Sequence, residues 1–162
     1  MSGYISHCIN KFQHDPQTKP QHPPHHHTPI VYGKKGQVQY ANEPDLTPKL
    51  NKNDTKKVQS ITGSLLYHAR AIDGTLLLAL NDNASQQAQP TEYTMVKCKR
   101  LLDYVSTYPN VTIRYHASNI KFHIDSDAAY LVMPKARSRV AGFFNLGQPN
   151  IFMTQQQPNG AI

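Results

Sequence analysis

Residues 119–142 read NIKFHIDSDAAYLVMPKARSRVAG, and this stretch says more about the fold than any other part of the chain. Apolar and polar residues alternate from Ile120 to Ile124, which predicts a β-strand. Asp125 and Asp127 follow, and the small residues around them predict a turn. We therefore expect a strand that ends in two acids, then a basic segment leading into a second strand.

The two acids of this stretch are candidate metal ligands. Asp125 and Asp127 lie two apart, so on a regular strand their side chains share a face. Carboxylates at a strand end can hold Mg²⁺ or Mn²⁺ against a phosphate. The alternative, which we favour for an isolated Asp-Ser-Asp, is a turn cap. Because no Asp or Glu lies downstream of Gly142, we expect a metal only if further sequence completes the site, and otherwise no cofactor.

Two basic clusters are candidate phosphate contacts. Lys135, Arg137 and Arg139 share an i, i+2 spacing, so in extended structure they would line one face. A solvated edge that discourages strand aggregation is an equally good interpretation. The second cluster lies in a helical pattern, where a solvated face is the alternative to nucleic-acid binding; it consists of Lys97, Lys99 and Arg100.

Three helical patterns precede the strands. They run from about residue 55 to 71, from 73 to 87 and from 91 to 108, with caps expected at Asp54 or Thr55, at Asp73 and at Thr91. The third pattern has an apolar face that includes Cys98, which we interpret as a core residue. The period then changes to two, which predicts strands at about 111–115, 120–124, 140–146 and 151–154.

The front of the chain has a different character. Residues 2–12 fit a short helix, whereas residues 15–57 contain seven prolines and are predicted to be loop-like. Residues 38–40 are predicted to form a short edge strand. The run His22, His25, His26 and His27 lacks the spacing of a zinc site, so we do not expect a structural metal there. We expect the core to come from the second half.

The net charge and composition of the chain indicate which classes of binding partner to expect. The chain has 162 residues, a formal net charge of +7 and a pI of about 9.4, which favours a polyanionic partner. Cys8 and Cys98 lie far apart and are interpreted as reduced thiols. No signal peptide or membrane span is recognisable. We therefore expect an intracellular protein of cytoplasm or nucleus, not secreted, with no membrane partner and no small-molecule substrate.

Four motifs in order resemble the pol polyprotein of copia-type retrotransposons, at the junction of reverse transcriptase and ribonuclease H. Residues 58–70 are similar to the family's Ser-x-x-Gly-Ser-Leu-Leu-Tyr helix, and 97–105 resemble its Lys-Arg-x-Leu-x-Tyr helix. Residues 126–128 match the Ser-Asp-Ala that opens the ribonuclease H domain, and 137–144 match the strand that follows.

The resemblance implies an α+β fold in which a helical thumb/connection-like unit precedes a partial antiparallel ribonuclease H-like sheet. The expected segments are a short helix with a poorly ordered Pro/His-rich stretch at 1–53, the helical unit at 54–108, the sheet at 111–154 and a disordered tail at 155–162. Asp127 would be the first metal-binding aspartate, and Asp125 has no catalytic counterpart. Ala129 and Tyr130 replace the family's usual Asp and Trp.

Three functional hypotheses follow from the resemblance. The first is a retroelement fragment without activity of its own that binds an RNA–DNA hybrid weakly. The second is a working part of a longer pol polyprotein, with the remainder as partner, in which Asp127 serves in metal-dependent RNA cleavage. The third is a captured, non-enzymatic interaction or nucleic-acid-binding module. The parent family is an RNA-directed DNA polymerase with ribonuclease H, but we do not expect this chain alone to be an enzyme.

Overall fold

The fold is mixed helix and sheet, of the α+β class. The computed structural model describes residues 3–15, 17–26, 45–113, 120–133, 137–147 and 159–161. The chain divides into two compact units, one formed by residues 1–26 and 45–112 and the other by residues 27–44 and 113–162. The described part of the first unit is helical, and the second unit contains the strands.

The helices of the first unit follow the predicted patterns closely. They are α1 (Tyr4–Phe12), α2 (Lys52–Ala71), α3 (Leu77–Gln86) and α4 (Glu92–Thr107). A 3₁₀ turn at Gly74–Leu76 leads into α3, with the Asp73 side chain accepting from Thr75 N as the predicted cap. The local periodicity therefore located each helix to within a few residues.

The caps of α2 and α4 differ in how well they were predicted. Thr91 caps α4 as expected, because its hydroxyl accepts from Thr94 N while Thr94 Oγ1 accepts from Thr91 N. The prediction of Asp54 or Thr55 as the α2 cap is wrong. Asn51 is the cap, its Oδ1 accepting from Asp54 N at 2.9 Å, so the helix begins three residues earlier than expected.

The core of the helical unit includes the front of the chain. Fifteen apolar side chains of the described residues are buried, and three of them, Ile5, Cys8 and Phe12, come from α1. The expectation that the core comes from the second half is therefore wrong on this point, since α1 presents its apolar stripe to the other helices. The helical pattern at 73–87 also predicts that Leu77 faces inward, but Leu77 is 39% exposed, because the 3₁₀ turn shifts the phase of α3.

Cys98 lies in this core, as predicted. It is fully buried, and Asn83 Nδ2 lies 3.5 Å from its sulfur. Burial raises the pKa of the Cys98 thiol to about 11. The thiol therefore stays protonated at neutral pH and is a packing group rather than a nucleophile.

The sheet is antiparallel, with strand order β1-β2-β3. Its strands are β1 (Lys121–Met133), β2 (Arg137–Gly147) and the short β3 (Asn159–Ala161). The prediction of a turn after Ile124 is wrong, because β1 continues through both acids, with Asp125 opposite Phe143 and Asp127 opposite Ala141. The β1–β2 register shifts between Ala129 and Met133, and the β2–β3 register shifts between Asn145 and Leu146.

Other predicted strands have different outcomes. Residues 111–113 are not in a strand, contrary to the prediction for 111–115, and the rest of that segment lies outside the described residues. The predicted strands at 38–40 and 151–154 also lie outside them. The predicted strand at 140–146 is confirmed as the larger part of β2.

One face of the β1–β2 hairpin carries large apolar side chains that are exposed. Phe122, Ile124 and Val140 are 56%, 56% and 77% exposed, and the rings of Phe122 and Phe144 stack with centroids 6.2 Å apart. Alternation along both strands places these four residues on the face opposite the acids. These four apolar residues thus lie on one face of the hairpin and the two acids on the other, where Phe143 is the cross-strand neighbour of Asp125.

Candidate nucleic-acid interface

The acid-bearing face of the hairpin is the first candidate site. Asp125 and Asp127 lie on this face of β1, and both are exposed. Asp127 Oδ1 accepts a hydrogen bond from Ala128 N at 2.8 Å. Their cross-strand neighbours, Phe143 and Ala141, carry no charge. The site therefore offers two carboxylates side by side in a regular strand.

A cation lies on the same face. Arg139 pairs with Ala129, the next position of that face after Asp127, and directly opposed residues of an antiparallel pair share a face. Arg137 begins β2 opposite Met133, and Lys135 lies outside the described residues. The described part of the predicted basic ladder is thus at the bulged end of the hairpin, beside the acids.

The acids do not fit the pair of divalent ions that the resemblance implies. Two ions that bracket a phosphate need several convergent carboxylates. Within the described parts of the chain, no group of three or more His, Cys, Asp or Glu side chains could hold a metal. Asp125 and Asp127 have only Phe143 and Ala141 across the strand, so no further acid joins them from β2.

The second candidate cluster lies on α4 and is partly engaged. Lys97 Nζ lies 4.9 Å from the centroid of the Tyr93 ring and donates to Gln86 Oε1 at 3.5 Å. Arg100 is half-buried, and its Nε donates to Pro23 O at 3.4 Å. Lys99 is exposed. The three predicted residues therefore do not form one open basic face.

Sequence reasoning missed the histidine contacts that lie beside this cluster. His14 Nε2 lies 2.7 Å from Asp103 Oδ1, and His25 Nε2 lies 2.6 Å from Asp82 Oδ2. The partners are 89 and 57 residues apart, so no local pattern could pair them. Of the histidine run, His25 thus contacts an acid of the helical unit, a role that the interpretation as a metal tract does not include.

Comparison with known proteins found no matching family model, no matching curated protein and no matching solved structure. The likeness to copia-type pol polyproteins therefore rests on the motifs alone. Separately, none of the helices in the described residues is both long and apolar enough to cross a bilayer.

Proposed function

We propose that this chain is an intracellular piece of a retroelement-type pol polyprotein that binds nucleic acid weakly and does not cleave it. The observation that most directly supports this proposal is the geometry of the β1–β2 hairpin. Asp125 and Asp127 share a face with Arg139, and no third metal-binding side chain converges on them among the described residues. A carboxylate pair alone cannot collect two divalent ions against a phosphate, whereas the neighbouring cation can contact one.

The placement of the motifs supports the assignment to this family. The two helical motifs, at 58–70 and 97–105, fall within α2 and α4. The Ser-Asp-Ala motif falls in β1 and the 137–144 motif in β2, which pair as an antiparallel hairpin. Helices followed by such a hairpin are what the junction of reverse transcriptase and ribonuclease H requires.

Charge supports weak binding as the activity. The formal net charge of +7 favours counterion release from a polyanion. On the hairpin, however, Arg139 shares its face with two carboxylates, which oppose phosphate. Few net phosphate contacts mean a shallow salt dependence and low affinity. We therefore expect measurable binding only at low salt.

The test is binding and cleavage of a labelled RNA–DNA hybrid at low and moderate salt, with magnesium present. We expect binding that weakens with salt and no cleavage. Arg139→Ala and Lys99→Ala should each lower the slope of log affinity against log salt by about 1. Lys57→Ala, which removes the same charge from exposed α2 surface, is the matched control and should leave the slope unchanged.

The variant Asp127→Asn separates this proposal from the polyprotein hypothesis. Removing one carboxylate beside Arg139 should raise affinity about twofold to fivefold, because a surface charge contributes up to about 1 kcal/mol. If the purified wild-type chain cleaves RNA in the hybrid and Asp127→Asn abolishes that cleavage, the chain is a ribonuclease. Absence of binding at low salt removes the binding function altogether.

A further inference from the structure

Residues 14–15 and 17–25, here called the strap, run along the helical unit beside Arg100. At its first end His14 Nε2 pairs with Asp103 Oδ1 at 2.7 Å, and Gln17 N also approaches that oxygen. Farther on, Gln21 N donates to Thr107 Oγ1 at 3.0 Å, and His22 Nδ1 lies 2.6 Å from Tyr108 Oη. The strap therefore follows the last two turns of α4.

The strap then reaches Arg100 and α3. Arg100 Nε donates to Pro23 O, which also accepts from Gln21 Nε2 at 2.8 Å. His25 Nε2 contacts Asp82 Oδ2 at 2.6 Å. The contact to Arg100 thus lies between the fastening points at His22 and His25.

The two histidine–aspartate contacts of the strap differ in burial. His14 and Asp103 are only 12% and 5% exposed, whereas His25 and Asp82 are 33% and 18% exposed. Opening the first would leave a buried carboxylate without its partner, which is costly. The more exposed contact at His25 costs less to break. The strap therefore has a firm end at His14 and a weaker end next to Arg100.

We propose that the strap is an autoinhibitory segment that withholds Arg100 from nucleic-acid phosphates, an inference that rests on the proposed function. The guanidinium is held by a neutral carbonyl at 3.4 Å, a long hydrogen bond. A phosphate oxygen forms a charge-assisted, bidentate contact with arginine that is stronger. Phosphate binding and strap closure compete for Arg100, so each weakens the other to the same extent.

The test compares His25→Ala with His26→Ala in the full chain at pH 7.5, using the RNA–DNA hybrid at low salt. His26 is the exposed neighbour and the matched control. His25→Ala should bind at least about fivefold more tightly than wild type, and His26→Ala should match wild type. His22→Ala, which removes the Tyr108 contact, should change affinity in the same direction.

If the strap acts by withholding Arg100, the increase in affinity caused by His25→Ala depends on Arg100. Adding Arg100→Ala to His25→Ala should abolish the increase, and the hybrid should accelerate amide hydrogen exchange at residues 17–25 of wild type. If His25→Ala binds the hybrid and wild type does not, the strap is also supported, because it then blocks binding by the wild-type chain completely. Unfolding curves establish that each variant is folded before binding is compared.

The outcomes separate the two proposals. If wild type binds and His25→Ala and His22→Ala bind equally well, the strap is refuted and nucleic-acid binding stands. If the gain persists without Arg100, the strap is also refuted, since it then acts elsewhere. If no variant binds the hybrid at low salt, both proposals are overturned.

Discussion

His68 is a buried ionisable group at the centre of the helical unit. It is 3% exposed, stacks on Tyr4 with ring centroids 5.8 Å apart, and has no hydrogen-bond partner at Nδ1. Burial lowers the pKa of His68 below its ordinary value of 6.5, although the Asp73 carboxylate acts in the opposite direction. The folded state therefore prefers the neutral imidazole.

We therefore expect the free energy of unfolding to decrease as the pH falls, because buried His68 favours the neutral form. Because the folded pKa lies below the unfolded value of about 6.5, the unfolded chain takes up the proton first as pH falls. The stabilisation is complete above that pH and is lost below it. We expect the free energy of unfolding, from urea titrations at pH 7.5 and 5.5, to drop more in wild type than in His68→Gln.

The exposed His7 provides the control for this measurement. His7→Gln should keep the wild-type difference in unfolding free energy between the two pH values, because the substitution lies outside the core and leaves the burial of His68 unchanged. Equal pH dependence in wild type and His68→Gln would contradict the assignment of the effect to His68.

At the scale of the element, α2 depends on one reciprocal cap. Asn51 Oδ1 accepts from Asp54 N at 2.9 Å, and Asn51 Nδ2 donates to Asp54 Oδ2 at 2.7 Å. Asn51→Ala should lower the free energy of unfolding by about 1 kcal/mol, measured by chemical denaturation, because a helix N–H loses its acceptor. Asn51→Ser, which keeps a side-chain acceptor without placing a second carboxylate against Asp54, should retain most of the stability.

Asn53 offers a matched comparison two residues further along α2. It is an exposed asparagine inside the first turn, where alanine has the higher helix propensity. Asn53→Ala should therefore be neutral or slightly stabilising. If Asn53→Ala lowers the free energy of unfolding as much as Asn51→Ala does, the effect comes from replacing any asparagine near the start of α2. It would then not come from the cap at Asn51.

In the hairpin, the local sequence of β1 predicts the wrong structure for the segment that carries the two acids. Asp125, Ser126 and Asp127 have low strand propensity, which led to the predicted turn. The structure instead keeps them extended because Phe143, Gly142 and Ala141 of β2 pair with them in continuous register. Strand propensity depends on the neighbouring strand, and the partner lies beyond the window of any local pattern.

At the scale of the whole molecule, burial is distributed unevenly. All fifteen buried apolar side chains among the described residues belong to the helical unit. The β1–β2 hairpin exposes Phe122, Ile124 and Val140, so it gains little from the hydrophobic effect. The two units should therefore differ in local stability.

Amide hydrogen exchange of the native chain tests this difference. The interiors of α2 and α4 should exchange slowest, with protection approaching that of global unfolding, whereas β1 should exchange through local opening. The central strand β2 should be intermediate, because it pairs with both β1 and β3. Protection of β1 equal to that of α4 would show that the strands are as stable as the helices.

The sequence by itself determined the helices, the Thr91 cap, the core position of Cys98 and the presence of the second strand, because periodicity and capping act between residues a few positions apart. Only the tertiary structure decided that α1 joins the core, that β1 continues through Asp125 and Asp127, and that His14 and His25 pair with Asp103 and Asp82. Those outcomes depend on partners 57 or more residues away or on a facing strand, which a local pattern does not encode.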